Sequence, residues 1–226
     1  MSSVVLELLP VALAAALTPT AVVAVLLILF SHKARRNGIA FLAGWYLGLL
    51  VLSWVIVSFL ARLGLFSSLL GGYSPSAGLV AVLGLLLLLL AFQQWRTRPR
   101  AGTPVAEPAW FARLSTLRPG HSFGIGAALA SITPKMILLT LTAAVIIGRT
   151  SPAPRSSLAA DFFYATLASI PVAIPVALYL NRGEGARATF MRWKDWLLRN
   201  NNTLMAAVCL LMGLLLLGAG LAELKA

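Results

Sequence analysis

Ala130-Ser131-Ile132-Thr133-Pro134-Lys135 lies near the middle of an apolar run that extends from Ser122 to Gly148. That run has 27 residues, roughly 40 Å as an unbroken helix at about 1.5 Å per residue. A hydrocarbon core is roughly 30 Å thick. A steep tilt or a break at the proline absorbs the excess. Ala15-Ala16-Leu17-Thr18-Pro19-Thr20 repeats the pattern inside a second long run, Val4 to Phe30. In both stretches a small or apolar lead-in is followed by Thr-Pro.

Four more apolar stretches complete the pattern: Ile39 to Ala61, Ser76 to Phe92, Ser157 to Leu180 and Thr203 to Ala222. Each approaches the roughly 20 residues that cross a bilayer as a helix, and unbroken runs such as Leu85 to Leu90 exclude the alternation of a membrane barrel. Composition agrees. The 226 residues are 60% hydrophobic and 11% charged, with a mean hydropathy of +0.92. A soluble domain is about 25% charged, and so few polar groups cannot cover its surface. The expected fold is an all-α polytopic membrane protein with six transmembrane helices.

The net charge is +12. Its cations cluster in alternate connections, thirteen in one set and four in the other, with Lys135 left over inside a span. The basic set holds Lys33, Arg35 and Arg36, then five arginines over 93–121, then Arg182 to Arg199. By the positive-inside rule these connections are cytoplasmic and both termini lie outside. The basicity thus reads as orientation and contact with anionic lipids at the cytoplasmic face, with no nucleic-acid partner. Phe190, Trp193 and Leu197 recur at helical spacing among these cations, as in a helix lying in the interface or in an extended start of the last span.

Six spans divide into residues 1–92, a first three-helix repeat, and 122–226, a second, joined by a cytoplasmic connection over 93–121. An odd number of spans per half inverts the second half, so the Thr-Pro sites of helices 1 and 4 approach from opposite sides as broken or kinked segments. Paired interrupted segments of this kind point to a transport site near the midplane. Proline removes one helical hydrogen bond and obstructs the preceding turn. The candidate substrate-binding residues are therefore Thr18, Pro19, Thr133, Pro134 and Lys135. A lysine deep in an apolar run is a functional residue by default, and this one would attract an anionic group. Asp161 has three readings: an ion-pair partner for Lys135, a proton carrier, or a helix cap. Pro171 and Pro175 are candidate hinges. Gly44 and Gly48, and again Gly120 and Gly124, have the spacing that lets helices pack closely.

No enzyme, cofactor or metal site is expected. Cys209 is the single cysteine, His32 and His121 stand alone, and no P-loop occurs. Energy would come from an ion gradient, a partner ATPase or the substrate's own gradient.

Thr133-Pro134-Lys135 resembles the Asn-Pro-Lys signature of the lysine exporter superfamily, six-helix proteins built from two three-helix repeats. Leu17-Thr18-Pro19, Ser31 to Arg36 and Gly38-Ile39-Ala40-Phe41-Leu42-Ala43-Gly44-Trp45-Tyr46-Leu47-Gly48 look more specifically like the actinobacterial sulfolipid-addressing, or Gap-like, branch. Thr133 stands where Asn is usual, which keeps a hydrogen-bonding side chain and loses the amide donors. The resemblance implies a transporter or flippase of an anionic or glycosylated envelope lipid in the inner (plasma) membrane, working by alternating access. Its partners would be the lipid or glycolipid itself, with homo-oligomers or envelope export machinery around it. The rival readings are an exporter of amino acids or small metabolites, and a non-transporting assembly factor of an envelope lipid export machine. An exporter predicts a closed cavity with Asp161 at its centre, a lipid carrier a pocket open sideways, and an assembly factor a packed centre with Lys135 sealed in a salt bridge.

Overall fold

The structure, a computed structural model, describes residues 2–63, 75–98, 118–150 and 154–225. Among these residues there is no strand. In chain order the helices are α1 (Ser2–Ala16), α2 (Pro19–Ile28), α3 (Ala34–Arg62), α4 (Pro75–Arg96), α5 (Pro119–Ser131), α6 (Pro134–Thr150), α7 (Pro154–Arg182) and α8 (Arg187–Lys225). The 99–117 part of the expected cytoplasmic connection lies outside the described residues.

Both Thr-Pro sites break their helices. α1 meets α2 at 51° and α5 meets α6 at 65°. The cause is local. Pro19 and Pro134 have no N–H to donate into the preceding turn, and each becomes the first residue of a new helix, where none is needed. Thr18 is extended (φ −87°, ψ 98°), and the chain resumes with Ile137 N–H donating to Thr133 O at 3.0 Å. Three helical runs, Ala34–Arg62, Gly78–Arg96 and Ser157–Ala222, are long and apolar enough to cross a membrane, or up to five if each bent pair counts as one span. The last run holds both α7 and α8, joined by a 3-10 turn at Gly183–Ala186 in which Gly183 takes a positive φ of 55°.

Contacts at successive positions give the directions of the helices. Ala81 of α4 meets Gly220 of α8, Gly84 meets Gly213, and Thr97 just beyond α4 meets Asn202, so α4 and α8 are antiparallel. Gly126 of α5 abuts Phe41 of α3, and Ala127 abuts Gly48, so α3 and α5 run parallel. A Cβ on Gly44 would strike the carbonyl of Phe123, and one on Gly126 the carbonyl of Phe41. The close packing expected at Gly44 and Gly48 is present. At Gly120 and Gly124 it is not: a Cβ on either would meet no neighbouring element within 4 Å among the described residues, because the packed face of α5 carries Gly126 instead.

Trp45, Phe41 and Tyr164 are among the fully buried side chains, while Leu89, Phe92, Leu211 and Leu214 face outward. Large apolar residues on the outer faces of α4 and α8 suit lipid surroundings. Residues 187–199 form no separate interfacial helix; they are the first turns of α8. Phe190 points inward at 1% exposure, edge-on to Phe30 at 6.5 Å and stacked on Tyr179 at 6.5 Å. Ring pairs of this kind contribute about 0.5–1.5 kcal/mol beyond burial. Phe190→Leu is expected to cost about 1–2 kcal/mol, read as a lower unfolding midpoint of the detergent-solubilised protein.

Candidate functional site

The two breaks meet. Thr18 and Thr133 immediately precede the prolines, while Thr20 and Lys135 immediately follow them, in the first turns of α2 and α6. Lys135 Nζ donates to Thr20 Oγ1 at 3.0 Å, and Thr18 Oγ1 donates to Met136 Sδ at 3.3 Å. Each break thus contributes one donor to the other across more than a hundred residues of chain. Thr20 and Lys135 hold the same place in the two stretches, Thr-Pro-Thr and Thr-Pro-Lys, and they bond to each other.

The contact continues as a polar chain. Thr20 Oγ1 lies 3.4 Å from Asn201 Oδ1 of α8 and donates to it. Asn201 Nδ2 donates to Asn202 Oδ1 at 3.0 Å, and Asn202 Nδ2 donates to Thr97 O at 2.9 Å. Lys135 is therefore half-buried at one end of a row of hydroxyl and amide groups that leads to the far end of α4. Sequence reasoning missed Thr20 and Asn201. The run Asn200-Asn201-Asn202 at the mouth of an apolar span was the available signal.

Electrostatics at this point favour an anion. Two helices begin here, α2 and α6, and helix N-termini carry partial positive charge and amides without intrahelical partners. Thr18 makes no side-chain cap bond to α2. Lys135 adds a full charge, and its hydrogen-bond partner is a hydroxyl rather than a carboxylate. The Thr133 hydroxyl is turned back onto its own helix, donating to Leu129 O at 2.7 Å. It stabilises the broken end of α5, and only its acceptor capacity is left for anything else.

Asp161 is elsewhere. It lines a cleft with Trp54 and Ser58 of α3 and Ile147 of α6. Ile147 is twelve residues beyond Lys135 on one helix, about 18 Å at 1.5 Å per residue, so the structure does not pair Asp161 with Lys135. α7 continues as one helix through Pro171 and Pro175, whereas Pro19 and Pro134 each start a new helix at a bend. A second cavity, about 370 Å³, is lined by His32, Lys33, Arg35, Arg36 and Tyr179.

Outward apolar faces, helices of membrane-crossing length and two proline breaks meeting at a lysine define a multi-helix membrane protein. The chain belongs to a family described as Sap, sulfolipid-1-addressing protein, which it matches over residues 8–222. No curated protein and no solved structure matches it.

Proposed function

We propose that the protein carries an anionic or glycosylated lipid of the cell envelope, or its headgroup, across the inner membrane by alternating access about the two Thr-Pro breaks, without changing the lipid chemically. The observation that carries this reading is the Lys135–Thr20 bond between the breaks. It sets a cation and two helix N-termini on one locus, as a negative headgroup requires. The family's printed description names a sulfolipid, an anionic lipid.

Six spans in two inverted repeats underlie the mechanism. α1 with α2, α3 and α4 form one half, and α5 with α6, α7 and α8 the other. Exchanging the halves turns the contact of α3 with α5 into that of α7 with α1, α3 with α6 into α7 with α2, and α2 with α8 into α6 with α4. All of these occur, while α4–α8 and α3–α7 map onto themselves. Equivalent residues that touch each other, as Thr20 and Lys135 do, lie where a two-fold axis passes. Both features support the kinship with the lysine exporter superfamily. The basic cavity at His32 to Arg36 belongs, on this reading, to the cytoplasmic leaflet and its anionic lipids. Acyl chains stay outside, in keeping with the outward-facing Trp54 and Leu158 that bound the cleft at Asp161.

The test is leaflet exchange in proteoliposomes. A labelled anionic lipid is expected to cross faster than in protein-free vesicles and faster than a zwitterionic analogue of equal chain length. Equal rates with and without protein overturn the reading. Uptake of a labelled amino acid with no lipid movement would select the metabolite exporter instead.

A further inference from the structure

Asp161 is 5% exposed and borders a cleft of about 280 Å³ between α3, the end of α6 and α7. Neither its Oδ1 nor Oγ of Ser53, which is fully buried, has a hydrogen-bond partner elsewhere among the described residues, and the Ser53 hydroxyl is the group that bears on the carboxyl. Buried polar atoms are bonded almost everywhere in proteins. A carboxyl whose one polar neighbour is a buried hydroxyl, on the wall of a cleft with room for water, is a site for something small.

Chemistry narrows the choice. A hard divalent cation takes about six or more oxygen ligands. The described cleft supplies one carboxyl and the hydroxyls of Ser58 and Ser157, with Ser53 buried behind the carboxyl, and is otherwise apolar, with Trp54, Ile147 and Leu158 in its wall. A proton needs one oxygen only. Uptake from a hydronium ion in the cleft breaks one of its O–H bonds, forms one on Asp161 and releases water. The carboxylate becomes a neutral acid, and the neighbouring Ser53 hydroxyl can donate to the charged form or accept from the neutral one. The other titratable group on this face of α7 is Tyr164, whose hydroxyl is engaged with Thr140 Oγ1 of α6 at 3.0 Å. The charged residues towards the same end are Glu7, exposed on α1, Arg62, exposed in the last turn of α3, and Arg149 and Arg155 in the last turn of α6 and the first of α7. Arg62 follows the cleft-lining Ala61 without being part of the wall itself.

We propose that Asp161, with Ser53 beside it, is a proton-binding site that exchanges with the aqueous phase through this cleft, at the end of the bundle remote from the Lys135–Thr20 contact. The site lies between α3 and α7, the helices that exchange places between the two halves. Charging and neutralising it acts on the seam along which the halves move. The proton site itself needs only the cleft; its coupling to lipid movement rests on the transport reading.

The experiment is an infrared pH titration of the full-length protein in vesicles, read beside Trp54 fluorescence taken as the difference from Trp54→Phe. The expected result is a protonated-carboxyl band that grows as pH falls and is lost in Asp161→Asn, with Trp54 emission following the same midpoint. An identical band in Asp161→Asn overturns the proposal. So does the absence of any band over the range in which the protein stays folded, or a band that emerges only when Arg62, Arg149 and Arg155 are changed to Gln, since that would make Asp161 an ion-pair partner. If Asp161→Asn does not fold, Ser53→Ala decides: removing a hydroxyl beside a carboxyl shifts its midpoint, and an unmoved midpoint overturns the assignment. No lipid is moved in this titration. Its failure leaves the Lys135 site standing, and failed lipid exchange leaves the proton site standing.

Discussion

Lys135→Ala will slow transfer of an anionic lipid between leaflets by about 10–100-fold while leaving the protein folded. A charged hydrogen bond contributes about 1.5–3 kcal/mol, and each 1.36 kcal/mol of lost transition-state stabilisation is about tenfold in rate. Stability is expected to change little, because Lys135 is half-buried and its partner Thr20 keeps Asn201. Lys135→Arg retains the charge but exchanges a compact ammonium for a planar fork, and should recover part of the rate. Lys135→Gln retains a donor without the charge and should behave like Ala. The checks are leaflet exchange in proteoliposomes and the thermal midpoint of the same preparations. Equal loss with anionic and zwitterionic lipids would show that the lysine shapes the break rather than reading headgroup charge.

The breaks were legible in the sequence because a proline acts on its own turn. Its missing N–H and its ring decide the local geometry wherever the helix sits, and Thr18-Pro19 and Thr133-Pro134 both bend. Lys135 was legible for a related reason: a charge inside an apolar run is costly whatever surrounds it. Its partners were not. Thr20 is 115 residues from Lys135, and Asn201 is 181 from Thr20, so only the packed bundle brings them together. Direction around a helix was hidden too. Spacing marked Phe190, Trp193 and Leu197 as one face, yet Phe190 turns inward while Trp193 stays 37% exposed. Gly120 and Gly124 share a face with each other but not with α3; Gly126, about 200° further round at 100° per residue, is the one that meets it. Asp161 was visible as an acid near a span end, but its neighbours were not: it shares a cleft with Ile147, which lies about 18 Å along α6 from Lys135.

Gly44 and Gly124 provide the second large effect, in opposite directions for the same change. Gly44→Ala puts a methyl where the Phe123 carbonyl stands, and backbone cannot rotate aside as a side-chain end would. α3 and α5 must separate, which opens the seam running past Gly48 and Ala127. Overpacking a well-filled interface costs about 1–3 kcal/mol when side chains can give. Here backbone has to move and several contacts go together, so about 3 kcal/mol or more is expected. Helices in lipid associate through such close packing rather than through a hydrophobic drive, which leaves little to compensate. Gly124→Ala meets nothing within 4 Å and replaces the poorer helix former, a gain of about 0.5–1 kcal/mol. Thermal unfolding of the two variants in one detergent should therefore move the midpoint down for Gly44→Ala and slightly up for Gly124→Ala. Equal shifts would mean that α3 and α5 do not approach as described. Because α5 ends at Ser131, which donates to Gly48 O at 3.4 Å, loosening this seam also frees the broken end that positions Lys135. Gly44→Ala should then reduce lipid transfer even at temperatures where the protein remains folded, whereas Gly124→Ala should leave it unchanged.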